Sequence, residues 1–306
     1  MTTTSVRTRS SASRSRSRTA VLSSPLVFAL PGLLAYGVFL VWPTIQSLWL
    51  SLTNWDGLSP KYDFVWFENY VRMLSDPTVA SSLRNNLVWS LLTIVVPMVL
   101  GLALAVALNG ASATMPFLRT IFYMPAVLPL VGVATIWSWL YDPSSGAINE
   151  ALRAVGLEGL TQSWLGQDST ALLAVVVPAV WVGAGFPMLL YLAGLQSIPI
   201  ELYESARTDG ANPWQQFWHV TMPGLKYVHY IVLALSVIAS LKVFDLIYAM
   251  TYGGPGKSTQ VLGTWMYFNI FQYYDAGYGT AIAVFVTLLA VAVGIPYVLS
   301  ETRGEK

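Results

Sequence analysis

Apolar and polar positions alternate in long blocks along this chain. Six apolar stretches run roughly over 25–50, 86–110, 117–141, 169–195, 225–250 and 279–300, with shorter polar segments between them. A helix needs roughly 20 residues to cross a hydrocarbon core about 30 Å thick, and each stretch reaches that length. Strands of a buried parallel sheet run only about 4–8 residues between turn signals. Barrel strands alternate apolar and polar side chains over roughly ten residues, and none of the six stretches does so. The pattern predicts an all-α polytopic membrane protein with six transmembrane helices.

Composition agrees. The 306 residues are 55% hydrophobic and 10% charged, where a soluble domain carries about 25% charge. A net charge of +1 gives no case for nucleic-acid binding, and the lack of cysteine removes disulfides, thiolate chemistry and Cys-based metal sites. Arg7, Arg9, Arg14, Arg16 and Arg18 are interleaved with serine and threonine without an apolar face. Residues 1–22 are therefore expected to form a disordered basic tail and 23–302 the membrane domain. The apolar run that follows the tail exceeds the core of a cleaved signal, about 7–15 residues, and reads as an uncleaved first span. The arginines read first as a topology signal, with attraction to lipid headgroups beside it.

Lysine and arginine near span ends concentrate on the cytoplasmic side. With a cytoplasmic N-terminus, Arg7, Arg9, Arg14, Arg16, Arg18, Arg119, Arg207, Lys226, Arg303 and Lys306 lie inside. Lys61, Arg72, Arg84, Arg153 and Lys257 lie outside, ten against five. Six spans then return the C-terminus to the cytoplasm and leave outer loops near 51–85, 142–168 and 251–278. The first loop carries Trp55, Tyr62, Phe64, Trp66, Phe67 and Tyr70, readable as an interfacial belt or as a docking surface for an extracytoplasmic partner. Prolines inside the stretches free carbonyls that neighbouring helices or water must satisfy. Gly101 with Ala105, Ala103 with Ala107 and Gly183 with Gly185 allow close helix contact.

The segment 199–223, between the fourth and fifth stretches, is unusually polar. Pro199 suits a first helical turn and Glu201 the positive dipole end. Gly210 reads as a helix stop in the left-handed region. Asn212, Pro213 and Gln215 restart a helix as N-cap, first residue and capping-box partner, with Trp214, Phe217 and Trp218 as its apolar stripe. Two short helices meeting at a glycine are expected.

Glu204, Ala206, Asp209, Gly210, Ala211, Phe217 and Pro223 stand in the spacing E-x-A-x-x-D-G-A-x-x-x-x-x-F-x-x-x-x-x-P. This resembles the coupling-loop signature of permease subunits of binding-protein-dependent ABC importers. The run Gly185-Phe-Pro-Met-Leu-Leu-Tyr-Leu-Ala-Gly-Leu-Gln-Ser-Ile-Pro199 also looks like the carbohydrate-uptake group, which includes maltose and glycerol-phosphate importers. So do Trp137-Ser-Trp139, Gly146-Ala-Ile-Asn149, Phe244-Asp245 and Thr251-Tyr-Gly-Gly-Pro255. The likeness extends over roughly 25–300, with Ser205 standing where that family usually has alanine.

The resemblance implies a cytoplasmic coupling-helix loop between helices 4 and 5, seated in a groove of an ATPase. Glu204 would pair with a basic residue there. Asp209 and Gly210 would hold the turn, Ala206 and Ala211 would permit close approach, and Phe217 and Pro223 complete the signature. It further implies a second permease subunit, a cytoplasmic ATPase dimer that binds ATP and Mg, and an extracytoplasmic solute-binding protein. The setting is the cytoplasmic membrane of a prokaryote. No cofactor is expected on this chain, which is not read as an enzyme.

Candidates for the solute path are Lys242, Phe244, Asp245, Tyr248, Trp181, Tyr191 and Trp265. Lys242 and Asp245 lie one helical turn apart in the fifth stretch. Intramembrane charges face a cavity or each other, so a structural ion pair, snorkelling and cavity lining all stand open. The aromatics offer planes for sugar rings and equally suit a membrane interface. Gly253-Gly-Pro-Gly-Lys-Ser258 fails as a phosphate loop, because Thr251 stands where glycine is required and Pro255 removes an N–H. His219 and His229 have no carboxylate at metal-ligand spacing. The alternative function is an ion-coupled secondary carrier, which calls for relayed intramembrane acids and internal repeats. Asp245 is the only acid well inside a stretch.

Overall fold

The described residues, 25–110 and 112–304, of a computed structural model form sixteen α-helices, some within the apolar stretches and some in the segments between them. The basic tail falls outside the described residues. The chain divides at Trp49–Leu50 into two units, each described by itself.

The first unit holds α1 (Pro25–Tyr36), a π turn at Gly37–Val41, and α2 (Trp42–Leu50), whose last residue reaches the junction. Pro43 has no N–H for the Phe39 carbonyl. The ladder slips just ahead of it, so that the Trp42 N–H donates to the Gly37 carbonyl. Thr44 Oγ1 and Ser47 Oγ donate to Leu40 and Pro43 carbonyls, at 2.7 and 2.9 Å.

The second unit begins with a loop tied down by Asn69, whose Nδ2 donates to the Ser51 and Thr53 carbonyls at 2.9 and 2.8 Å. Helix α3 (Glu68–Ser75) leads into α4 (Pro77–Ala107), a 31-residue rod started by Asp76 as N-cap and Pro77 at its first position. Next come α5 (Met115–Tyr123) and α6 (Leu130–Leu140), bent by 97° where Pro125 and Pro129 interrupt the ladder. Arg119 reaches back to the Leu108 carbonyl at 2.7 Å and closes the C-terminal end of α4.

Helix α7 (Ala147–Ala154) is short and set by Asn149. This buried side chain donates to the Pro143 and Gln162 carbonyls and accepts from the Gln162 amide and Trp164 Nε1. Helices α8 (Ala171–Gly183) and α9 (Gly185–Ser197) run nearly end to end. They are followed by α10 (Ile200–Thr208), α11 (Pro213–Gln216), a π turn at Phe217–Thr221, and α12 (Met222–Gly224). The chain closes with α13 (Lys226–Leu241), α14 (Asp245–Thr251), α15 (Leu262–Phe271) and α16 (Ala276–Gly304).

Three segments are long and apolar enough to cross a membrane: Phe28–Leu50, Pro77–Ala107 and Ala171–Ser197. Two bent pairs, at 115–140 and 213–241, raise the number to five, and Ala276–Ala292 forms a shorter apolar helix. The stretch at 225–250 is not one helix: it breaks at 242–244. The region 251–278 likewise holds α15, an apolar helix buried through Leu262, Trp265 and Phe268.

Packing centres on α4. A β-carbon at Gly101 would come within 2.7 Å of Pro187 Cβ and 2.8 Å of the Met188 amide nitrogen, so α4 and α9 touch backbone to backbone there. Ala105 continues that contact fully buried, whereas Ala103 and Ala107 face outward. At Gly183 the same β-carbon would sit 3.4 Å from Pro97, ordinary contact.

At the N-terminal end of α4, Asp76 gathers four elements. Its Oδ1 accepts from the Thr78 amide at 2.7 Å, and its Oδ2 accepts from Trp265 Nε1 at 3.1 Å and Tyr278 Oη at 2.8 Å. The Arg72 guanidinium lies 4.1 Å from the Tyr278 ring centre and pairs with Asp275 at 2.6 Å. Burial opposes ionisation of Asp76, but the bonds from Tyr278, Thr78 and Trp265 outweigh it and hold the carboxyl below its ordinary range.

Two outcomes follow from this packing. Gly101→Ala should lower the thermal midpoint of the purified protein, since overpacking costs about 1–3 kcal/mol, while Gly183→Ala should leave it nearly unchanged. Because the folded Asp76 pKa is depressed, its contribution is complete above the unfolded carboxylate pKa and is lost as pH falls through the folded one. Thermal midpoints measured from about pH 5 down to about pH 2 should therefore drop in acid. That drop should shrink in Asp76→Asn, whose amide must face a donor.

Candidate functional site

The polar segment after α9 is built from local bonds. Helix α10 carries Glu201 in its first turn and Arg207 in its last, each matching the dipole. It ends at Asp209, and Gly210 follows at φ +82°. The Ala211 amide donates to the Ala206 carbonyl at 2.8 Å and the Gly210 amide to the Arg207 carbonyl at 3.0 Å. This pair of bonds is the Schellman closure of a helix C-terminus. Nothing lies within 4 Å of a β-carbon at Gly210, so backbone conformation alone demands glycine there.

The far side of the turn is equally defined. Asn212 Oδ1 accepts from the Gln215 amide at 2.9 Å, and Gln215 Oε1 accepts from the Asn212 amide at 2.8 Å. Gln216 Nε2 donates to the Ala211 carbonyl at 2.8 Å. Phe217 stacks on Trp214 and meets Trp218 edge-on, with centroids 6.0 and 5.3 Å apart. Pro223 has no N–H for the His219 carbonyl, and the preceding turn is again π, with the Met222 amide on the Phe217 carbonyl. Tyr203 Oη and Thr221 Oγ1, 3.0 Å apart, tie α10 to that turn. Ala206, Asp209, Gly210, Ala211 and His219 border a hollow of about 360 Å³. Glu204 and Ser205 are exposed on α10. The sequence pattern did not point to Gln216, Tyr203 or Thr221, whose partners depend on how the chain doubles back.

The second feature is the break between α13 and α14. Lys242 closes α13 and Asp245 opens α14, with Phe244 between them at φ −151° and ψ −59°. A cation thus sits at a helix C-terminus and an anion at a helix N-terminus, each favoured by the macrodipole. A β-carbon at Gly263 would come within 2.6 Å of the Val243 carbonyl oxygen, so α15 backs tightly onto the break. Lys242, Phe244 and Asp245 line a cavity of about 450 Å³ with Thr93, Phe186 and Ser236. Among the described residues, Lys242 and Asp245 form no ion pair.

The other solute-path candidates lie elsewhere. Tyr248 stacks behind Phe244 at 5.0 Å, against Tyr252 and Tyr267. Trp181 packs edge-on to Trp137. Tyr191 is buried against His229, and Trp265 is buried on Asp76. Thr93, Phe186 and Ser236 reach the cavity without a local sequence signal, since a lone hydroxyl in an apolar stretch also bonds its own helix. Among the described residues no three His, Cys, Asp or Glu side chains gather as metal ligands. The run Gly253–Ser258 precedes no helix until Leu262, unlike a phosphate loop.

Broken apolar helices, no named strand among the described residues, a cavity lined by several of those helices and a polar elbow closed by its own bonds have the makings of a membrane permease. Residues 97–304 match the binding-protein-dependent transport system inner membrane component family, and the chain belongs to that family. It is 37% identical over 281 residues to a probable ABC transporter permease protein of Pyrococcus horikoshii, covering 92% of this chain and 96% of the relative. It is 36% identical to the multiple sugar-binding transport system permease protein MsmF of Streptococcus mutans serotype c, covering 91% and 94%. The fold matches a chain in the crystal structure of a bacterial alginate ABC transporter in complex with alginate pentasaccharide-bound periplasmic protein. The TM-score is 0.80 at 24% identity, with 91% of this chain and 94% of that one covered.

Gly210→Val places a β-branched residue in the left-handed region, at a cost of about 1–3 kcal/mol, whereas asparagine tolerates it. Uptake into vesicles should fall sharply for Gly210→Val and persist for Gly210→Asn. Wild-type uptake by the valine variant would remove the turn from the working parts.

Proposed function

We propose that this chain is one permease subunit of an ATP-driven, binding-protein-dependent importer of a carbohydrate or related polyol. Its six spans are the three long segments, the two bent pairs each counted once, and α16. Both termini then lie in the cytoplasm of a prokaryote, and 199–223 faces an ATPase dimer that holds ATP and Mg. A second permease subunit completes the pore, and an extracytoplasmic solute-binding protein delivers the solute.

The observation that carries this reading is α10 with its closure at Gly210. A short helix presents Glu204 to solvent with no ion pair to it among the described residues, on a turn closed by backbone bonds to its own helix. Such a helix suits seating in a groove of another subunit and moving with it as one piece. The cavity supports the solute class: Thr93 and Ser236 hydroxyls, the Lys242 and Asp245 charges, and the Phe186 and Phe244 rings offer hydrogen bonds beside apolar planes, as polyhydroxylated rings require. MsmF is named for sugar transport, which agrees with this class. Family membership favours the binding-protein-dependent machine over the ion-coupled carrier.

Extraction of the tagged chain in mild detergent should bring down an ATPase and a second permease, identified by mass spectrometry. Glu204→Ala should insert normally yet recover much less ATPase and lose most ATP-dependent uptake. A chain that purifies alone under several gentle conditions would overturn the reading.

A further inference from the structure

A second cavity, of about 450 Å³, opens at the end of α4 opposite to Gly101 and Ala105. Thr78, Ser81, Arg84 and Asn85 from the first turns of α4 line it, together with Asp168 and the loop Gly256–Ser258. Arg84, Lys257 and Asp168 converge here, yet none of them pairs with another: the ion pairs among the described residues are Arg72–Asp275 and Arg153–Glu150. Three charges facing one space without neutralising one another leave their pairing capacity for something else.

The cavity is built rigidly. Lys257 sits at φ +72°, a conformation that costs a non-glycine residue about 1–3 kcal/mol and persists only where the surroundings impose it. Here they do. Its ammonium donates to Thr78 Oγ1 at 3.0 Å and lies 4.5 Å from the centre of the Trp265 ring. Asn85 Nδ2 holds the loop from beneath, donating to the Ser258 and Gln260 carbonyls at 2.9 and 2.8 Å. The Ser258 hydroxyl is buried with no partner. Arg84 and Asp168, in contrast, are exposed and form no ion pair among the described residues.

We infer that this cavity is a docking socket for the solute-binding protein, taking an acidic side chain between Arg84 and Lys257 and a basic one beside Asp168. The inference rests on the proposed orientation, which places these residues on the extracytoplasmic face. No aromatic side chain lines the space, so a sugar ring finds no apolar plane in it, whereas fixed charges of both signs set the register of a protein partner. Charges at the rim of an interface act chiefly on association rate and its salt dependence, which defines the measurement.

The whole transporter in lipid nanodiscs is titrated with its own solute-binding protein, and the concentration giving half-maximal stimulation of ATP hydrolysis is read at low and high salt. Arg84→Glu should raise that concentration roughly tenfold at low salt and flatten its salt dependence. Lys257→Glu should act in the same direction. Because Lys257 also packs on Trp265, Arg84→Glu is the deciding variant.

The native chain has no cysteine, so Arg84→Cys carrying a photo-cross-linker should attach to the binding protein and to no other subunit. An unchanged half-saturating concentration in Arg84→Glu overturns the socket. Altered solute selectivity with unchanged dependence on binding protein also overturns it, and assigns the cavity to the solute. A wild-type transporter that no binding protein stimulates would instead break the importer reading itself, and the socket with it.

Discussion

Hydrocarbon offers no hydrogen bonds, so every departure from regular helix in an apolar chain must be satisfied within the protein. That constraint organises this molecule. Where Pro43 and Pro223 withhold an N–H, the ladder slips into a π turn in place of leaving the turn open. Where the chain leaves the helix altogether, in loops that the proposed topology puts outside the hydrocarbon, burial within the protein sets the same demand, and a buried asparagine meets it. Asn69 holds the loop after α2, Asn85 and Asn86 hold 258–262, and Asn149 holds 143–164. An asparagine both donates and accepts, so one buried side chain replaces several missing ladder bonds.

The break at 242–244 uses the same economy with charge. Lys242 ends one helix and Asp245 opens the next, each with the charge its dipole favours, and the Val243 carbonyl is backed closely by Gly263. Helix α13 then links the two functional features. It begins next to the π turn of the elbow and ends on the cavity, about 24 Å away at 1.5 Å per residue. In the proposed importer, a displacement imposed on α10 would pass through the Tyr203–Thr221 contact to the π turn and then across the 65° bend into α13 and the cavity.

The elbow was legible because its determinants are local. A glycine at the helix end, an asparagine two residues on and a glutamine three beyond that specify a Schellman closure and a capping box within six residues. The cavity was only half legible. Charges stand out in an apolar stretch, so Lys242 and Asp245 announced themselves, and Phe244 came with them. Trp265 and Tyr191 carry the same sequence signal as a ring on the path. One serves as a donor to Asp76 and the other as filling between α9 and α13.

Composition and spacing within a few residues are enough for the helical class, the apolar stretches, the turn at Gly210 and the family. Long-range packing decided that the fifth stretch breaks at 242–244 and that 251–278 contains a partly buried helix, Leu262–Phe271. It also decided that Arg84, Lys257 and Asp168 share one cavity. Those outcomes depend on contacts between residues distant in sequence, such as Asn85 and the Ser258 carbonyl, 173 positions apart. No local pattern encodes which distant carbonyl a buried amide will meet.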